Sequence, residues 1–395
     1  MDKPKILILS DYYLPGYKSG GGMRTIVNMV ERLHHKFDFY IITRDHDGPL
    51  DKKTYSTVKI DEWNNLKNAQ VFYLPKDKIK LSKIHELISQ VDPGAIYTNS
   101  YFATLAIYML ILRKLGRIKQ CNVIVAPCGE LSEGALGLKS GKKKVFMWFS
   151  AISNLYENII WKASNEIEKV EIQRIKSKGG KIFIAADLSP KAIVPEYQPG
   201  RKPIKNAGVA KMVFLSRFSE KKNFKWLLEN LKNINNQLII DIYGPLEDEK
   251  YWLECVEIIN KLPENIQIEA KGTIPHEEVS ETLLKYHFFI LPTLGENFGH
   301  VFLEALAVGC PLIISDKTPW QDLENKKIGW DLSLELPELW IDKINKCIGL
   351  DNASYREMSD KARKFVCEWL EDPKTEDDTL RVLQYALGNT LKYNI

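Results

Sequence analysis

The 395-residue sequence has no CxxC pair and no Cys/His spacing suited to a metal. Its cysteines, Cys121, Cys128, Cys255, Cys310, Cys347 and Cys367, stand singly. This excludes a disulfide framework or zinc module and predicts reduced thiols in a cytoplasmic protein. Long apolar runs are also missing. The longest, Tyr101 to Leu112, is closed by Arg113 and Lys114 and is too short to cross a bilayer. The first, Ile6 to Leu9, is brief and follows charged residues, so no secretory leader is expected. A net charge of +4 gives no footprint for a nucleic acid. No internal repeat or low-complexity tract argues for a solenoid.

What is present describes two α/β domains. A hydrophobic content of 45% and a charged content of 27% suit a globular chain, and the length suits two cores. The first half opens with a strand at Lys5 to Ser10, a loop ending in Gly20 to Gly22, and a helical pattern carrying Ile26, Val30 and Leu33. Further strand signals fall at Asp38 to Thr43, Ile96 to Asn99, Val123 to Ala126 and Lys181 to Ala185. The aperiodic stretch Val194 to Gly208, rich in proline, reads as a linker. Strands then return at Met212 to Leu215, Leu238 to Tyr243 and Ile266 to Glu269, alternating with helices at Phe224 to Ile234, Tyr251 to Leu262 and Glu277 to Tyr286. The expected division is 1–195, a linker at 196–207, a second domain at 208–372, and a tail at 373–395 whose helix, Asp377 to Leu391, returns to the first domain. Two doubly wound parallel sheets of this kind would face a central cleft.

Chemistry concentrates in GENFGHVFLEALAVGCPLIISDKTPW, residues 295–320. Apolar strands at His287 to Pro292 and Pro311 to Ser315 flank it, giving a strand, loop, helix, strand unit. Its loop falls at the carboxyl edge of the sheet, and the N–H groups of Asn297 to His300 open a helix that attracts an anion. Glu296 and Glu304 are expected to share a face and to accept hydrogen bonds from hydroxyls, a hexose at Glu296 and a ribose at Glu304. The alternative is a helix cap and a solvated glutamate. In SRFSEKKN, 216–223, Arg217 ends a strand and Lys222 precedes a helix with Asn223 at its N-cap. A guanidinium and an ammonium there stabilise a departing diphosphate; a solvated basic turn is the competing reading.

These residues resemble the retaining glycosyltransferases of family 4, which have the GT-B fold. The resemblance spans nearly the whole chain through DYYLPGYKSGGGMRTIVNMVERL, IYTNSYF, APCGELSEGAL, WKASNEIE, SRFSEKKN, IYGP and the ENFGHVFLE block, nearest to bacterial members that build surface polysaccharides such as lipopolysaccharide or capsule. It implies Arg217 and Lys222 on the donor diphosphate, Glu296 on the sugar and Glu304 on the ribose. The amides of Asn297, Phe298 and Gly299 would lie beside them. Gly21 and Gly22 would admit the diphosphate to the first domain's backbone, and main chain near Gly244 and Thr273 would meet the base. The implied substrates are a UDP-sugar, with a GDP-sugar as the other option, and a glycan or lipid-linked saccharide. No cofactor or metal is implied.

Two departures concern the acceptor. Relatives commonly carry His or Arg where Cys128 stands, and often His where Lys162 stands. Glu130 or Arg24 is then expected to serve in place of Cys128, or the acceptor differs; simple packing is the plain reading of the thiol. Asp45, His46 and Asp47 spell a DxD tripeptide, but Gly48 and Pro49 follow, so a turn is expected. The glycine triplet lacks GxGxxG spacing and is no dinucleotide fingerprint. KSGKKKVFMWF, 139–149, interleaves lysines with bulky apolar residues and suits either an anionic bilayer at the inner face of the cell membrane or an ordinary helix. A non-catalytic sugar-nucleotide-binding subunit and a sugar-nucleotide epimerase are the competing functions.

Overall fold

The computed structural model describes residues 2–388 except positions 18, 49–50, 52, 120, 138–139, 176–178, 192 and 195–200. Much of the expected linker, Lys139, and the end of the expected last helix, 389–391, thus lie outside the described residues. The chain divides into two compact units, Met1–Pro190 with Pro373–Ile395, and Lys191–Asp372.

In the first unit the strands are β1 (Lys5–Leu9), β2 (Asp38–Arg44), β3 (Trp63–Leu66), β4 (Ala69–Leu74), β5 (Ala95–Thr98), β6 (Asn122–Val125), β7 (Ile160–Ala163) and β8 (Ile182–Ile184). Among the described residues they form an eight-stranded sheet in the order β3-β4-β2-β1-β5-β6-β7-β8, parallel except for the β3–β4 pair. Ile6 and Ile8 enter one apolar cluster and Leu7 and Leu9 the other, so alternate residues of β1 serve opposite layers. A strand buried on both sides therefore reads as an unbroken apolar run.

The second unit contains β9 (Val209–Leu215), β10 (Gln237–Tyr243), β11 (Ile266–Gly272), β12 (Phe288–Leu291), β13 (Leu312–Ser315) and β14 (Gly329–Leu332). They form a parallel sheet ordered β11-β10-β9-β12-β13-β14. The order runs outward from β9 to β11 on one side and from β12 to β14 on the other. The loops after β9 and β12 therefore part at a topological switch point, where sheets of this kind leave a crevice for ligands. In the first sheet the same reversal lies between β1 and β5.

The helix Lys374–Ala386 belongs to the first unit. Leu380, Leu383 and Ala386 join the cluster of Ile6 and Ile8. Glu376 pairs with Arg32 at 2.8 Å, and Asn122 Nδ2 donates to the Ala386 carbonyl at 2.8 Å. Each buried leucine is worth about 1.5–3 kcal/mol, so apolar packing anchors the helix together with the partly buried Arg32–Glu376 pair. The β3–β4 hairpin and the strands β7 and β14 are absent from the sequence reading, and the helix expected at Phe224 to Ile234 ends at Asn230, followed by one tight turn. Among the described residues, no helix is long and apolar enough to cross a membrane.

Candidate functional site

In the second unit, main chain brings the two switch-point loops together. Leu294 N–H donates to the Lys221 carbonyl at 2.8 Å, and Thr293 Oγ1 donates to the same carbonyl at 3.2 Å. This stitch sets the Lys222 ammonium directly against Glu296 Oε1. Both side chains are largely buried, 11% and 15% exposed. Burial alone would raise the Glu296 carboxyl, but Lys222, Lys221 and Arg217 outweigh it and hold the group below its usual range. Glu296 is therefore an acceptor at neutral pH.

Arg217 lies two residues beyond β9 rather than at its end, and its guanidinium meets Glu247 at 2.7 Å from the loop after β10. Asn223 precedes the helix Phe224–Asn230 in a left-handed conformation (φ 58°), and its side chain makes no capping bond. Gly244, between Tyr243 and Glu247, has φ 138°, and a Cβ there would stand 1.9 Å from the Ser216 carbonyl oxygen. The loops after β9 and β10 thus touch through bare backbone, which by itself accounts for the glycine.

Glu296 and Glu304 do not share a helical face. The helix begins only at His300, behind left-handed Gly299 (φ 80°), so Glu296 stays in the loop. Glu304 is buried in the second turn and lies 3.6 Å from His276 Nδ1, in the loop after β11. The structure therefore distributes the expected residues between two places, Lys222 with Glu296 at the switch point and Glu304 near the β11 loop that carries exposed Thr273. Phe298 is buried, packs against Trp320 and accepts from its indole N–H at 2.5 Å through its main-chain carbonyl. Glu247, Thr293 and His276 were missed in the sequence because no local spacing ties them to Arg217 or the glutamates. Gly244 beside Glu247 was the one available signal.

The carboxyl edge of the first sheet is built differently. Asp187, beyond β8, accepts from Lys162 Nζ at 2.6 Å, Ser164 Oγ at 3.2 Å and Thr25 Oγ1 at 3.0 Å. Burial would lower the Lys162 ammonium, but Asp187 outweighs it and raises the group. Glu168 receives the Gly129 and Ser164 amides at 2.7 and 2.8 Å, clamping the loops after β6 and β7 together. Cys128 sits between them at φ 52° and packs against the core. Burial, then Asp187 and Glu168, push its thiol well above the ordinary range, so it is a neutral thiol. Burial also raises Glu130, which accepts from Ser100 Oγ and the amides of Tyr101 and Phe102. Gly21 and Gly22 open the helix Gly21–Leu33, which also carries Arg24, and Asn99 Nδ2 donates to the Gly22 carbonyl at 2.6 Å from the loop after β5. Asp47 accepts from the Tyr17 amide, in the loop after β1, and Asp45 meets its neighbour His46, each at 2.8 Å, so each carboxylate of the tripeptide has a protein partner.

The fold has counterparts among known proteins. The chain resembles sucrose-phosphate synthase from Thermosynechococcus elongatus, with TM-score 0.71, 17% identity and coverage of 97% and 98% of the two chains. It resembles Anabaena Alr3699/HepE in complex with UDP and glucose, with TM-score 0.69, 13% identity and 97% and 99% coverage. Among curated proteins it is 30% identical over 129 residues to the GtfA subunit of a UDP-N-acetylglucosamine–peptide N-acetylglucosaminyltransferase from Streptococcus agalactiae, and 29% identical over 101 residues to that of Streptococcus parasanguinis. These matches take in 31% and 25% of this chain and span only about a quarter and a fifth of those relatives, 24% and 19%. Residues 200–365 match the family described as glycosyl transferases group 1. The chain therefore has the GT-B fold, and residues 200–365 of its second unit are similar to the glycosyl transferases group 1 family.

Proposed function

We propose that the protein is a retaining, metal-independent hexosyltransferase that uses a nucleotide-diphosphate sugar. It would act on a glycan or lipid-linked saccharide in surface polysaccharide synthesis, at the inner face of the cell membrane. The observation that carries this reading is the Lys222–Glu296 pair at the switch point, with Arg217 on the adjoining loop. A donor diphosphate would take both cations from carboxylate to phosphate oxygens, leaving Glu296 to accept from sugar hydroxyls. Negative charge grows on the diphosphate as the glycosidic bond breaks, so the cations stabilise the transition state more than the ground state. A front-face reaction needs no carboxylate nucleophile: the leaving phosphate oxygen takes the acceptor's proton, and the enzyme contributes position and charge. UDP is favoured by the neighbours, since Alr3699/HepE was solved with UDP-glucose and the GtfA relatives are named for UDP-N-acetylglucosamine.

The deciding experiment is a thermal-shift panel of UDP, GDP and ADP followed by turnover of the matching sugars. A nucleotide that binds only the folded chain raises its midpoint. The expected result is a shift with UDP, reduced at least tenfold in apparent affinity by Glu304→Ala. No shift with any nucleotide would sink the proposal. A second reading, a sugar-nucleotide-binding subunit of a larger transferase, is favoured by the word subunit in the relatives' names and by the neutral Cys128 thiol. It predicts the same UDP shift with no donor turnover.

A further inference from the structure

The helix Ser140–Ile152 follows the Cys128–Glu130 loop and has two apolar faces. One is inward: Phe146 and Met147 pack against the first unit's core, and Ser150 Oγ lies 2.9 Å from the Tyr101 hydroxyl. The other is bare. Val145, Trp148, Phe149 and Ile152 are 67%, 67%, 54% and 62% exposed. Their spacing of three, four and seven residues places them in one stripe, since a helix turns about 100° per residue. By the same spacing, exposed Lys142 and Lys144 border the stripe on opposite sides. The helix contains three lysines and no acidic residue.

We propose that this face docks the first unit onto an anionic lipid bilayer, with the four apolar side chains entering the headgroup boundary and Lys142 and Lys144 meeting lipid phosphates. An apolar stripe with cations on both flanks matches that surface in polarity and sign. A second copy fits poorly, because a two-fold contact sets the helix against itself, and it carries no acidic residue to face the lysines. The face is also tied to the acceptor side. Lys143 Nζ donates to the Ala135 carbonyl at 2.5 Å, and Tyr101, which meets Ser150 on the helix, gives its amide to Glu130. A docked helix therefore presents the Cys128–Glu130 loop to a lipid-linked acceptor; that last step rests on the functional reading above, whereas the docking does not.

Flotation of the full chain with phosphatidylglycerol/phosphatidylcholine vesicles tests this, with pure phosphatidylcholine vesicles as the comparison. The expected result is at least tenfold more protein on the anionic vesicles. Trp148→Glu with Phe149→Glu should remove that binding, and Lys142→Glu with Lys144→Glu should abolish the preference for anionic lipid. Because all four positions are exposed, thermal unfolding midpoints should hold, and Val145→Ser with Ile152→Ser supplies a second apolar variant should the first fail to fold. Wild-type protein that stays with the soluble fraction overturns the proposal. So does equal flotation of the Trp148/Phe149 variant, or light scattering that shows a dimer dissolved by that variant. No donor is used, so these outcomes bear on the membrane placement alone and leave the sugar-transfer reading untouched.

Discussion

The carboxyl edges of the two sheets use the same currency, lysine against carboxylate, in opposite ways. In the second unit Lys222 and Glu296 retain some exposure, and Arg217 and Glu247 are 43% and 32% exposed. In the first, Lys162 and Asp187 are each 3% exposed and are joined by Thr25 and Ser164. A pair that water can reach is exchangeable, because an incoming anion replaces one partner without stranding the other. A sealed pair with its lone pairs occupied is architecture, and opening it leaves a buried charge. The second edge is thus poised to change partners and the first to hold the Gly129 and Ser164 loops in place.

The sharpest way to break this contrast is Asp187→Ala, which strands the Lys162 ammonium. It should cost about 3–5 kcal/mol, seen as a lower urea midpoint, while Asp187→Leu with Lys162→Met should recover most of it. Recovery failing in the double variant would show that the carboxylate does more than neutralise the lysine. Next, Lys222→Ala should lower turnover by about 10²–10³-fold at nearly unchanged midpoint. A large loss of stability with intact turnover would reverse the roles given to the two edges. The smallest effect sets a control on the opposite, entry side of the second sheet. His287, just before β12, is buried, and burial followed by Lys205 lowers it to about 4. Between pH 6.5 and 4 the unfolded chain takes up a proton that the folded one refuses, so stability falls as pH falls, by up to about 3 kcal/mol. Urea titrations of His287→Gln should lose this slope.

The sequence made the second sheet's inner strands legible because β12 and β13 are buried on both faces, and their apolar runs bracket the glutamate loop. It made Lys222 legible through its position between strand and helix. It was silent on β3, whose WNNL carries little apolar signal, and on β14, a four-residue edge strand, GWDL. Partners across loops were invisible for a different reason. Asp187 lies 25 residues from Lys162, and Glu247 lies 30 from Arg217, so only the register of neighbouring strands brings each pair together. The shared face expected for Glu296 and Glu304 failed at Gly299, whose left-handed backbone delays the helix start.

The helix Lys374–Ala386 carries a consequence for biosynthesis. Because it completes the core that β1 begins, the second unit is in effect an insertion within the first. On the ribosome, residues 191–372 are finished before the first unit owns all its parts. A premature stop after Asp372 would spare every residue that matches the glycosyl transferases group 1 family, yet leave Ile6 and Ile8 without Leu380 and Leu383. Nonsense variants near the C-terminus should therefore damage the N-terminal half.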